Sequence, residues 1–240
     1  MSLPGASADG PNAVEWVERL VEGICPIRAR DASKNEVFSR VKHKARGTEG
    51  CCMYFQGHGI YLPGRVNRYL TAQNSVVEGE TWDGLTPNDM RQLLGLSDRL
   101  PWRIIATDFC HSGNCFGLQF VLYIDGNRAE WREVDGWLGD VCSSTPTVHF
   151  AGSQTNESVY EHTTNGGFFT QALTKHRDEA LALPNLLRII RSEVNVFVDA
   201  AKRGGAIEDY KTQTPQIFSS VKLNLEDTHA LINLQRRQLA

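Results

Sequence analysis

No apolar run in this chain of 240 residues approaches the length of a membrane span, so the sequence offers no transmembrane helix. Its formal charge of −3 gives no global attraction to nucleic acid or to an anionic membrane. The first ten residues, MSLPGASADG, lack both a basic start and an apolar stretch, and no secretory signal is visible. There is no internal repeat and no low-complexity tract. The six cysteines (Cys25, Cys51, Cys52, Cys110, Cys115 and Cys142) form no paired C-x-x-C spacing, which argues against a structural zinc site. A bridge between the neighbours Cys51 and Cys52 would be strained, and a chain this long without a signal does not suggest a disulfide framework. Reduced thiols in a cytoplasmic protein are the expectation, and a reduced thiol is available as a nucleophile.

What is present alternates between buried strands and amphipathic helices. NAVEWVERLVEG has apolar residues at helical spacing, with Asn12 as N-cap and Gly23 as stop. ICPIRARD reads as a short extended segment. Ser33 and Glu36 have capping-box spacing ahead of a helix through Val37, Phe38 and Val41; Thr86 and Asp89 open a second such helix with Pro87 at its first position. CCMYFQ, PWRIIATDFC and TVHFAGS are three buried strands. GGFFTQALTKHR and LPNLLRIIRSEVNVFVDAAKRG are helices, the second ending in basic residues and Gly204–Gly205; QTPQIFSSVKLNL is a closing strand. This order predicts an α/β domain with a mostly parallel sheet and helices on both faces. In such sheets reactive groups collect beyond the carboxyl ends of the strands.

Two chemistry-bearing residues fall there. His58 lies between two glycines in YFQGHGIYL, at the end of one buried strand, and Cys110 ends another in TDFCHSGNC. A thiol attacks as thiolate, which needs a nearby base or positive charge, and an imidazole on an adjacent strand end supplies one. Gly57 and Gly59 permit close approach by a substrate. A backbone N–H after the histidine, with that of the cysteine, would face the oxyanion of a tetrahedral intermediate. His111, Cys115 and His149 have blander readings: a residue directed away from the cysteine, a small buried hydrophobe and a core or rim residue.

QGHG and DFCHSG, about fifty residues apart, resemble the catalytic dyad of the metacaspases, caspase-like cysteine proteases. VHFAGSQTNESVYE with GGFFTQAL resembles that family's small-subunit region, QTPQIFSS its closing strand, and the whole is most similar to the fungal branch. The resemblance implies a single caspase-like three-layer sandwich over residues 1–240. Within it, residues 1–125 would be large-subunit-like, 126–145 an exposed connection, and 146–240 small-subunit-like. It implies Cys110 as nucleophile, His58 as general acid/base, and the N–H groups of Gly59 and Cys110 as oxyanion donors. Asp108 would bind the first substrate residue, because a carboxylate there pairs with arginine or lysine. The implied reaction is hydrolysis of peptide or protein substrates after Arg or Lys.

Departures from the family are visible too. Family members begin with an apolar strand in the middle of the sheet; MSLPGASADG resembles the loop after it, so truncation is the expectation. Many metacaspases use calcium. Glu78, Glu80, Asp83 and Asp89 are candidate oxygen ligands, but Asn74 stands where relatives often carry Asp and Gly117 where some do, so no cofactor is expected, with calcium as the alternative. Arg128 and Arg132 are candidate self-processing sites in the connection. The rival readings are a catalytically inactive caspase-like interaction module and a thiol hydrolase of small substrates.

Overall fold

In the computed structural model the described residues are 5–21, 29–47, 49–61, 67–70, 76–77, 81–82, 84–137, 139, 145–176 and 180–236. Cys25, Cys142, Asn74, Glu78, Glu80, Asp83 and most of ICPIRARD lie outside them. The chain runs through α1 (Ala6–Leu20), α2 (Lys34–Lys44), β1 (Cys51–Gln56), β2 (His58–Ile60), β3 (Arg68–Leu70), β4 (Val76–Val77), β5 (Thr81–Trp82) and α3 (Pro87–Leu96). Then come β6 (Arg103–Asp108), β7 (Phe120–Asp125), β8 (Arg128–Glu133), β9 (Thr147–Ala151), β10 (Glu161–His162), β11 (Gly166–Gly167), α4 (Phe168–Lys175), α5 (Leu183–Arg203), β12 (Gln216–Ser219) and α6 (Ala230–Arg236).

Six strands form one sheet in the order β1-β6-β9-β12-β7-β8. β1, β6 and β9 are parallel neighbours, β12 runs antiparallel to both β9 and β7, and β8 returns antiparallel to β7. Four strands therefore share one direction, as the mostly parallel prediction requires. Strands from before and after the expected connection interleave, since β9 and β12 sit between β6 and β7. Among the described residues β1 pairs on one side only, with β6.

Successive side chains of a strand alternate between faces, and β6 feeds two cores in this way. Ile104 and Ala106 join Trp16, Phe150, Phe169, Leu187 and Ile190 on the side of α1, α4, α5 and α6. Ile105 joins Phe55, Met90, Leu93 and Phe116 on the side of α2 and α3. The result is the expected three-layer arrangement. Helix starts follow local chemistry: Ser33 Oγ accepts from the Glu36 N–H at 3.3 Å, and Thr86 and Asp89 form a reciprocal capping box. Gly204 caps α5 after Lys202 and Arg203.

Two expectations are corrected, and one element is new. The first helix starts at Ala6 rather than after Asn12, with Pro11 inside it. The segment expected as an exposed connection is in its first part a strand, β8, paired residue by residue with β7. Its Trp131 is buried and donates Nε1–H to Leu223 O at 2.9 Å, a tether that alternating charges around it had masked. Arg128 and Arg132 belong to that strand, and the Arg132 guanidinium lies 3.2 Å from the Tyr123 ring centre. α6, which packs Leu231 and Leu234 into the larger core, was not foreseen.

Candidate active site

Register places the two chemistry-bearing strand ends side by side. Gln56 of β1 is the partner of Asp108 of β6, so His58 and Cys110 each follow two residues beyond one shared rung. Neighbouring strands are spaced at roughly 4.8 Å. Both residues line a single cleft of about 250 Å³, together with Gln56, Gly57, Asp108, Val159, Tyr160, Glu161 and Gly167. His58 is half-buried, burial holds its imidazole below the ordinary histidine range, and its Nε2 has no hydrogen-bond partner. Burial thus favours the neutral imidazole, and no other described group engages its Nε2. No hydrogen bond joins it to Cys110.

The glycines are used for close approach. A side chain at Gly59 would put its Cβ 1.7 Å from Cys110 O, and one at Gly57 would lie 1.9 Å from Leu70 O. Gly59 is thereby packed on the cysteine backbone. Behind Cys110, Phe109 is fully buried and stacks near Tyr69, whose hydroxyl donates to His111 O at 3.0 Å. His111 turns the chain in the left-handed region, φ 63°, and its ring nitrogen Nδ1 bonds Thr155 O at 3.1 Å rather than facing the thiol. Cys115 and His149 are buried, as expected; His149 bonds Thr107 Oγ1 at 2.8 Å, and burial depresses it to about 3.

The Cys110 sulfur meets a segment that sequence reasoning did not connect to it. The Val159 N–H donates to Sγ at 3.3 Å, and Sγ lies 3.8 Å from Val159 O. A main-chain contact carries no side-chain signature, so nothing in residue types announced it.

The floor of the cleft is acidic. Asp108 is 3% exposed; its Oδ2 accepts from Thr170 Oγ1 at 2.6 Å, and its Oδ1 is buried without a partner. Tyr54 Oη lies 2.7 Å from the same Thr170 hydroxyl. Burial first, and the neighbouring Asp9 carboxylate second, push Asp108 up to about 7, against the pull of the Thr170 hydrogen bond. Asp9 is fully buried in α1, accepts from Gly167 N–H at 2.9 Å and from Gln56 Nε2, and is raised by burial. Gly166, φ 93°, passes so close that a Cβ there would lie 1.9 Å from Asp9 Oδ1. Glu161, also raised by burial, accepts from Gly5 N–H at 3.3 Å. Asp9 and Glu161 were missed because single acids in polar stretches look like solvated surface. Among the described residues the cleft lining holds two carboxylates and no lysine or arginine.

Among the described residues no group of three or more His, Cys, Asp or Glu side chains is placed to hold an ion. Asp89, one of the four acids considered, is taken by Thr86 and by Lys34 at 2.9 Å.

A cysteine and a histidine thus stand beyond adjacent parallel strand ends of an α/β domain, over an acidic floor. The model of the caspase domain family matches residues 27–225, and the chain belongs to that family. Members of the family are cysteine endopeptidases. Caspase-1 from Spodoptera frugiperda superposes with a TM-score of 0.56 at 14% identity, covering 90% of this chain and 80% of that one. A protein from Geobacter sulfurreducens superposes with a TM-score of 0.57 at 15% identity, covering 94% and 89%. No protein with a curated description matches the sequence. Within the described residues no helix is long and apolar enough to cross a membrane.

Proposed function

We propose that this caspase-family chain is a cysteine endopeptidase of metacaspase type that cuts peptide bonds after arginine or lysine. The observation that carries the specificity is the unpartnered Asp108 Oδ1, buried in a cleft whose described lining holds a second carboxylate and no cation. A buried carboxylate without a partner costs free energy until a positive group arrives. A guanidinium or ammonium group entering the cleft supplies that partner, while an aspartate side chain would add a third negative charge.

In the mechanism, His58 takes the Cys110 thiol proton, and the resulting thiolate attacks the scissile carbonyl carbon, forming an S–C bond and an oxyanion. The N–H groups of Gly59 and Cys110 stabilise that oxygen. As the C–N bond breaks, the leaving amine takes a proton from His58. Water then adds to the thioester with His58 as base, releasing the acid and regenerating the thiol. Every step uses protein groups and water alone.

The test is turnover of fluorogenic peptides ending in Arg, Lys or Asp, with and without calcium, beside Cys110→Ala. Cleavage of the basic peptides should fall roughly 10⁴-fold or more in the variant. Absence of turnover under all conditions would support the inactive-module reading instead, and cleavage after Asp would overturn the role of Asp108.

A further inference from the structure

The segment Gln154–Glu161 passes over the nucleophile, and one residue in it is bonded at both ends. The Glu157 side chain accepts four hydrogen bonds. Oε1 takes Thr212 Oγ1 at 2.8 Å and Thr214 Oγ1 at 2.9 Å, while Oε2 takes Thr214 N–H at 2.7 Å and Gln154 N–H at 3.2 Å. Its main-chain oxygen accepts from the His111 N–H at 2.8 Å, the residue directly after Cys110. Two residues further on, the Val159 N–H donates to Cys110 Sγ. Gln213, from the same Thr212–Thr214 stretch, braces the far side: its Oε1 accepts from Tyr160 N–H at 3.1 Å and its Nε2 donates to Gly152 O at 3.0 Å.

We propose that Glu157 is a positioning residue for Cys110, tying the Gln154–Val159 segment to Thr212–Thr214 so that the Val159 N–H stays aimed at the sulfur. The inference rests on the reading of Cys110 as nucleophile. Val159 offers the sulfur both groups, its O accepting from Sγ at 3.8 Å and its N–H donating to Sγ at the shorter 3.3 Å. The shorter contact decides the sign: an N–H donor at a sulfur favours thiolate over thiol, because it bonds the charged form more strongly. The same anchor holds His111 in a left-handed conformation that a residue with a Cβ adopts only when its surroundings over-determine it.

The sign of the effect separates this role from two simpler ones. Glu157→Gln removes a negative charge close to the site, and through-space electrostatics alone would make the thiolate form at lower pH. Loss of positioning acts in the opposite direction. A residue serving only stability would leave the thiol's titration where it was and lower the melting temperature.

The experiment follows alkylation of Cys110 by iodoacetamide from pH 5 to 10, read by mass spectrometry on the tryptic peptide 104–128. Glu157→Gln is expected to move the pH midpoint up by about half a unit or more, slowing alkylation at pH 7 about three-fold. Thr214→Val, which deletes one hydroxyl donor, should move it the same way by less, and it decides the matter alone if Glu157→Gln does not fold. An unchanged or lowered midpoint in the folded variant overturns the proposal. Alkylation does not require peptide turnover, so failure of the peptidase reading, seen as cleavage that survives Cys110→Ala, is distinguishable from failure of this one.

Discussion

The two ends of β6 each carry a buried charge, and they are treated in opposite ways. At the start of the strand Arg103 is fully buried and satisfied: Nε donates to Thr147 Oγ1 at 3.0 Å, while Nη1 and Nη2 reach Leu94 O, Ser97 Oγ, Thr145 O and Asp98. It ties the end of α3 to the sheet. At the finish of the strand Asp108 is equally hidden, yet one of its oxygens has no partner, and the charged groups that act on it, Asp9 and Glu161, are acids. A buried charge with all its bonds made holds a fold together; one left half-made is waiting for something from outside.

That contrast is broken most severely by Asp108→Asn. Turnover of Arg peptides, as kcat/KM, should fall about 10²- to 10³-fold, while the melting temperature at pH 8 rises because a costly buried charge has gone. Arg103→Met is the mirror experiment. Calorimetry or denaturant unfolding should show a loss of about 2–4 kcal/mol from stranded acceptors, with kcat/KM per folded molecule unchanged. A catalytic loss in the second variant, or a stability loss in the first, would erase the distinction.

The pH dependence sharpens it. Asp108 must be ionised to pair with a cation, and burial pushes it up to about 7. The rate at low substrate should therefore rise with pH through about 7, and Asp108→Asn should lack this limb. Stability has the opposite sign. A carboxylate raised above its unfolded value keeps its proton longer in the folded chain, so this group's contribution declines as pH climbs from the unfolded value towards 7. The smallest effect expected is that of Thr170→Val, which removes the hydroxyl that pulls Asp108 down. Its acid limb should move up by about half a unit to one unit in the pH–rate profile.

Much of this was legible in residue types. Capping signatures at Ser33 and Thr86 marked helix starts because the side chain doing the capping is itself the signal. The strands carrying His58 and Cys110 were readable from short apolar runs ending in glycine and turn residues. Their register was not, since parallel pairing leaves no local trace, yet that register is what sets the two side by side. β8 was mistaken for an exposed connection because an outer strand facing water shows charges where a buried one shows aliphatics. Asp9 escaped notice for a different reason. Its burial comes from contact with Gln56 and Gly167, 47 and 158 residues away, and no window of sequence contains that meeting.

Whether the half-bonded carboxylate at 108 selects a positive side chain is decided by a pair of substrates. Peptides ending in arginine and in citrulline have nearly the same shape and differ in charge. At pH 8 the arginine peptide should exceed the citrulline peptide in kcat/KM by about 100-fold or more, with the gap closing in Asp108→Asn. Equal turnover of the two by the unaltered protein would contradict the account.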